Sequence, residues 1–420
     1  MQTGLVNHIA VLMDLMAGCL YARVLFDAIF QKKINVVLKA PLFGALFCFS
    51  LYCIFRVFPA DIALFAKIAA FRGYLYYVPM YLVGYFYYFS PKEFKRFTYF
   101  CASMLLILGL YACRQQFLGY TARELSWINW QITERNFTAI TNNEIRVFSM
   151  QNSSLDFACL LALFIPMAIP WIFSTPRKRQ RLCLLGIIFI AIVSAFTFIR
   201  AAFVAWSLSA LLVCMLLWWS GYINHKNLWK ILGIGSLVCV VLFFSFNVLS
   251  FNNNKNLNVI LARIQSVGSL TSLPGIIQQS TRARAELVSM QSRVNIWRTL
   301  IADVQNGLIG NGVGALRNIN PINIGQHNPR ALAENMYVYI YYELGVVGLL
   351  FFLSIFSGYL RFYFQHIRQS PLLCIMPIGL IVSLLIVLLA GDYLATAPIR
   401  VTSWFFFGVF CRKITEGDRL

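Results

Sequence analysis

The sequence predicts an all-α polytopic membrane protein of about eleven transmembrane helices, with a large, partly helical periplasmic loop between the eighth and ninth. Three observations predict this. Hydrophobic residues fill 60% of the 420 positions and charged residues only 12%, where a soluble domain is about half apolar and about a quarter charged. Mean hydropathy is +0.70. The apolar runs, such as Leu182 to Phe198 and Leu232 to Leu249, are long and do not alternate. Backbone in lipid must satisfy its own hydrogen bonds, as helices or a closed barrel, and barrel strands would alternate polar and apolar residues.

Apolar segments of about twenty residues fall near residues 4–30, 36–58, 73–89, 97–118, 154–174, 182–199, 201–219, 229–250, 337–360, 372–390 and 399–411. Residues 1–250 therefore hold helices one to eight, with a periplasmic segment near 119–153. Residues 251–336 form the large loop, and 337–420 hold the last three helices and a cytoplasmic C-terminus. No cleavable signal peptide is evident: the first thirty residues lack a basic start and carry Asp14, Arg23 and Asp27. The first segment is expected to stay as a helix.

The net charge of +20 has no soluble basic domain in which to serve nucleic acid. Much of it sits in short links: Lys32/Lys33, Lys92/Lys95/Arg96, Arg177/Lys178/Arg179/Arg181, Lys226/Lys230, Arg361/Arg368 and Arg412/Lys413. With eleven spans these clusters share one side, which the positive-inside rule makes cytoplasmic. Arg56, Lys67 and Arg72 run against the pattern. The eleven cysteines include no CxxC pair and read as small buried hydrophobes.

Basic residues on the other side need a reason. The long loop carries Lys255, Arg263, Arg282, Arg284, Arg293, Arg298, Arg317 and Arg330, against Glu286, Asp303 and Glu334. Arg146, Arg200 and Arg400 join them at the ends of spans. The arginine fork binds phosphate in a bidentate manner, so such a surface suits a lipid-linked pyrophosphate, although any one arginine could equally anchor to lipid headgroups. Arg200 is the sharpest case, because two spans nearly fuse there and a charge at that depth is costly.

Within the loop, Ser292 to Asp303 has helical spacing and runs into the Gly-rich turn Gly307-Leu-Ile-Gly-Asn-Gly-Val-Gly314. Glu334 stands at the mouth of the ninth span, where spacing alone reads it as an N-terminal helix residue. Glu343 lies deeper in that span, and Asp392 ends the tenth. Of the four histidines only His327 is near this chemistry. No HExxH, GxSxG or P-loop appears. No metal or cofactor is expected.

Four stretches together resemble the O-antigen ligase / O-antigen polymerase family of bacterial membrane glycosyltransferases. They are Arg146-Val-Phe-Ser-Met-Gln-Asn-Ser-Ser154, Ser194-Ala-Phe-Thr-Phe-Ile-Arg200, Ser292-Arg-Val-Asn-Ile-Trp-Arg298 through Gly312, and Glu334-Asn335 through Glu343-Leu-Gly345. Their order on one predicted side is more specific than any one of them. One position departs: Glu334 stands where ligases carry histidine, and His327-Asn328 could replace it only if the loop folds back.

The resemblance implies inverting, metal-independent glycosyl transfer outside the inner membrane. The donor would be a glycan on undecaprenyl pyrophosphate and the acceptor a second lipid-linked repeat unit. Glu334 would be the base, and Arg200 and Arg293 would hold the pyrophosphate. Arg146, Arg298, His327, Tyr337 and Arg400 would bind substrate, with Trp127 and Trp130 as further sugar-stacking candidates. Membrane lipid and a chain-length regulator complete the partners. Glutamate in the histidine position favours polymerase over ligase. A transporter is the alternative of another class, predicting paired, interrupted helices that the sequence does not show.

Overall fold

The computed structural model describes residues 2–58, 62–135, 140–141, 144–151, 153–197, 199–225, 233, 294–318, 335–389, 391 and 397–417. They form a helical bundle: α1 (Gln2–Phe30), α2 (Ile34–Leu38), α3 (Phe43–Phe55), α4 (Leu64–Tyr74), α5 (Met80–Phe86), α6 (Pro91–Leu118), α7 (Ala122–Arg135), α8 (Ser154–Ser174), α9 (Arg177–Ala195) and α10 (Arg200–Trp219) come first. A short helix over residues 294–302, α11, follows. Then come α12 (Ala315–Asn318), α13 (Met336–His366), α14 (Pro371–Leu388) and α15 (Ala397–Thr415). A two-residue antiparallel pair, Ile140–Thr141 with Glu144–Ile145, is the only sheet among the described residues.

Among the described residues, α6, α8, α10, α13 and α14 are long and apolar enough to cross a membrane. The chain is therefore a multi-pass membrane protein by helix length and composition. Helices α9 and α15 have similar length but each carries three or more basic residues near its ends (Lys178, Arg179 and Arg181 in one; Arg400, Arg412 and Lys413 in the other). The outward surface is greasy, with Leu110, Phe117, Leu185, Leu208 and Leu350 all exposed. In a soluble protein such contiguous apolar surface would be a liability. Against lipid it costs nothing.

Two expected spans are interrupted. Residues 36–58 divide into α2 and α3. Residues 73–89 prove to be the second half of a broken element, α4 and α5 separated by turns at 75–79, where Pro79 precedes α5. Elsewhere the ends follow local chemistry. Ser90 and Glu93 form a reciprocal capping box at the start of α6, with Pro91 at its first position. Ser153 caps α8, and Asn335 caps α13 by accepting from the Tyr337 and Val338 amides.

Small residues set the closest contacts. A methyl on Gly379 of α14 would stand 2.6 Å from Val213 of α10 and 3.2 Å from Pro166 of α8. Ser383 donates to Ala162 O at 2.6 Å, fixing α14 antiparallel to α8. Gly84 of α5 and Gly408 of α15 abut, each with no room for a methyl. This is how membrane helices gain packing where the hydrophobic effect between them is absent.

Helix direction then sorts the charges. Short links reverse the chain between α8 and α9, α9 and α10, and α13 and α14. Tyr359 and Tyr363 meet Phe407 and Cys411, so α13 and α15 run parallel. The starts of α8, α10, α13 and α15 thus share one edge, called the upper edge below. At the lower edge, Phe94 packs on Trp171 and Phe410, Lys413 Nζ donates to Phe89 O at 2.8 Å, and Tyr87 donates to Asp27. The clusters at 32–33, 92–96, 177–181, 361–368 and 412–413 all lie toward that lower edge; Lys226/Lys230 falls outside the described residues.

Candidate functional site

Three of the candidate residues, Glu334, Arg293 and His327, lie outside the described residues, as does Asp392. The others come to the upper edge, by four different routes.

Arg200 opens α10 and is exposed. The polar residues before it close the turn rather than meet solvent. Ser194 and Thr197 are buried, their hydroxyls donating to Ala191 O and Ser194 O at 2.7 Å each. The Ile199 amide in turn donates to the Thr197 hydroxyl. These bonds close the turn in which α9 reverses into α10, and the Arg200 side chain is exposed at its end.

Arg146, half-buried, is held by a loop with strained backbone. Ser149, three residues on, is fully buried with φ +54°, a conformation that costs a non-glycine residue about 1–3 kcal/mol. Its surroundings hold it there. Gln115 on α6 accepts from the Phe148 and Ser149 amides and donates to Ser149 O, while the Ser149 hydroxyl donates to Leu108 O. Gln115 also donates to Glu124, the node that ends α6 and starts α7. Glu124 receives both Arg114 Nη atoms at 2.8 Å, the Tyr111 hydroxyl at 3.0 Å and the Thr121 amide at 2.6 Å. Burial raises its pKa, but bonds from Gln115, Thr121 and Tyr111 outweigh this and hold the carboxyl below its ordinary value.

The Gly-rich turn and the Glu343-Leu-Gly345 stretch interlock. Although α13 runs from Met336 to His366, Gly345 within it has φ +68° and ψ −168°, breaking the ladder. The turn fills that break. Asn311 and Gly312 amides donate to Tyr342 O and Glu343 O at 2.9 Å, while Val346 and Val347 donate to Gly307 O and Leu308 O. Glu343 is fully buried, and its Oε1 accepts from the Leu316 amide at 3.2 Å. Arg56, ending α3, donates to Gly310 O at 2.8 Å and accepts from the Val313 amide. Tyr342 donates to Asp303 at 2.7 Å, anchoring α11, on which Arg298 is exposed.

Tyr337 and Arg400 bond to backbone carbonyls of neighbouring helices. The Tyr337 hydroxyl donates to Leu385 O at 2.8 Å. Arg400, 4% exposed, gives Nη1 to Arg72 O at 2.6 Å and Gly73 O at 2.8 Å, and lies over the Tyr77 ring. It satisfies the carbonyls freed where α4 breaks. Arg72 pairs with Asp14 at 2.8 Å, and Tyr77 donates to the same carboxylate at 2.5 Å. Trp127 is half-buried on α7, and the side chain of Trp130 lies outside the described residues.

Sequence reasoning missed Arg56 and Arg72 as working residues. The signal was there: both are basic residues on the wrong side for the charge rule. Each is explained by an internal partner. Among the described residues no group of three His, Cys, Asp or Glu stands close enough to hold a metal ion. No protein-family model matches the chain, and no curated protein matches it significantly.

Proposed function

We propose that this protein is a polysaccharide repeat-unit polymerase of the inner membrane, with eleven spans and its active site on the periplasmic side. The observation that carries the reading is the sorting of charge. Arg200, the Arg146 loop and the Arg298 helix come to the upper edge, while five basic clusters lie toward the lower one. The positive-inside rule makes the lower edge cytoplasmic, so the arginines face the periplasm, where phosphate ligands are their simplest use.

In this reading Glu334 takes the proton of an acceptor sugar hydroxyl as that oxygen attacks the anomeric carbon of the donor glycan. The anomeric carbon–oxygen bond breaks with inversion, and undecaprenyl pyrophosphate leaves carrying the electron pair. Arg200 and Arg293 stabilise the charge that develops on the departing phosphate, and Arg146 and Arg298 steer it. Asn335, capping α13, fixes the helix start that directly follows Glu334.

Purified protein incubated with lipid-linked repeat unit tests this, with chain length read on a gel. Elongation by wild type and none by Glu334→Gln is the expected pair. Long chains from the Gln variant would remove Glu334 as the base and return attention to His327. Elongation only after addition of a lipid A–core or protein acceptor would identify a ligase.

Transport is the second reading, favoured by one observation: two interrupted helices, at 75–79 and at Gly345. Transporters use such breaks to line a substrate site. Here both are filled from within, by Arg400 and by the 307–314 turn. Elongation in detergent, where no two-sided membrane exists, separates the readings.

A further inference from the structure

The 307–314 turn is placed beside the interior of a membrane-spanning helix, not above it. Its partners are Tyr342 to Val347 of α13. Sixteen residues separate Gly345 from Arg361 at the lower edge, about 24 Å at 1.5 Å per residue. That is less than the hydrocarbon thickness of about 30 Å. The turn therefore meets α13 at a level inside the apolar layer.

Irregular backbone survives at such depth only when its polar groups are satisfied by protein. Here they are. The amides of Leu308 and Ile309 donate to Asn306 Oδ1, and that of Gly310 to Asn306 O. Those of Asn311, Gly312 and Val313 donate to Tyr342 O, Glu343 O and Arg56 O. The run of six amides needs no water. The carbonyls of Gly307, Leu308, Gly310 and Gly312 likewise accept from Val347's neighbour Val346, from Val347, from Arg56 and from Ala315.

What the turn shows outward is apolar. Leu308 is 64% exposed and Ile309 38%. The bonds from Val346 N to Gly307 O and from Val347 N to Leu308 O set the turn at the upper end of a stripe at helical spacing on α13, Val346, Leu350 and Leu353, that is also exposed. A polar loop tip in water has no use for two such side chains next to a lipid-facing stripe.

We propose that the 307–314 turn is a re-entrant segment whose tip, Leu308 and Ile309, docks on bilayer acyl chains and continues the lipid-facing stripe of α13. The α11 helix, and Arg298 with it, is thereby tethered to the membrane surface. The inference needs only that the chain is embedded in a bilayer. It stands or falls independently of glycosyl transfer.

The test uses the full chain in membranes whose phospholipids carry radiolabelled acyl chains. A photoreactive benzoylphenylalanine replaces Leu308, Ile309, Leu350 or Asn295 in turn, and each variant's amount in the membrane is measured. Lipid adducts are expected at 308, 309 and 350, and at least tenfold fewer at the exposed polar position 295. A yield at 308 and 309 no higher than at 295, with 350 labelled, would overturn the proposal. So would absence of adducts at 350, because the stripe itself would then not face lipid. Failure of elongation with normal labelling would count against the polymerase reading alone.

Discussion

Gly310 and Gly345 meet backbone to backbone. A methyl on Gly310 would lie 2.5 Å from the Gly345 amide nitrogen and 2.7 Å from Glu343 O, and both glycines have positive φ, +69° and +68°. The φ/ψ pair of Gly345 is one that essentially only glycine adopts. Gly345→Ala is therefore expected to cost about 3 kcal/mol from strain and displacement of the turn together. A thermal unfolding series in detergent checks it. Stability unchanged in Gly345→Ala would mean that the turn does not occupy the break.

Arg400 is expected to behave as a structural residue. Its Nη1 holds two carbonyls at the α4 break, and leaving a buried polar group unsatisfied costs about 1–3 kcal/mol. Arg400→Met should lower thermal stability by about 3 kcal/mol, with the KM for lipid-linked substrate unchanged in the folded fraction. A raised KM with unaltered stability would instead restore the substrate-binding role that the sequence proposed.

The difference between those two roles shows what a sequence can and cannot carry here. Helix placement was legible wherever apolar length and caps agreed, as for α8 between Ser153 and Thr175 or α14 after Pro371. Breaks were legible only in part. Pro79 locally disfavours helix at the residue before it, but what holds the break at 75–79 is Arg400, more than 300 positions away, which satisfies its carbonyls. Similarly, the Gly-rich turn and Glu343-Leu-Gly345 were each visible as motifs, but their interlock is a pairing between segments. The position of Arg200 was legible for the opposite reason: it is set locally, by the short turn that joins α9 to α10.

Glu124 makes stability depend on pH in a defined direction. Its folded pKa is below the ordinary value of 4.5, so its contribution is complete above that value and is lost as pH falls through the lower folded pKa. Removing the charge with Glu124→Gln forfeits bonds from Arg114, worth about 2 kcal/mol. Melting temperatures between pH 7 and pH 3 should fall more steeply for wild type than for the Gln variant. Parallel curves would assign the acid sensitivity to other groups. The variant should also loosen the Arg146 loop, because Gln115 bridges Glu124 to Ser149.

Arg200 separates charge from geometry. It is exposed at the first turn of α10, in a turn closed by buried Ser194 and Thr197 hydroxyls, and the amount of folded protein is measured beside the activity of each variant. If it grips pyrophosphate with its planar fork, Arg200→Ala should reduce elongation by 100-fold or more, in line with the 2.7–4 kcal/mol lost when one group stabilising a developing anion is removed. Arg200→Lys keeps the charge and loses the fork, and should recover only a small part of the rate. The loss should fall on kcat rather than on KM, since the charge on the leaving phosphate grows only as the bond breaks. A lysine variant with full activity would reduce Arg200 to a surface anchor. An alanine variant with raised KM and normal kcat would make it a binding residue with no share in the transition state.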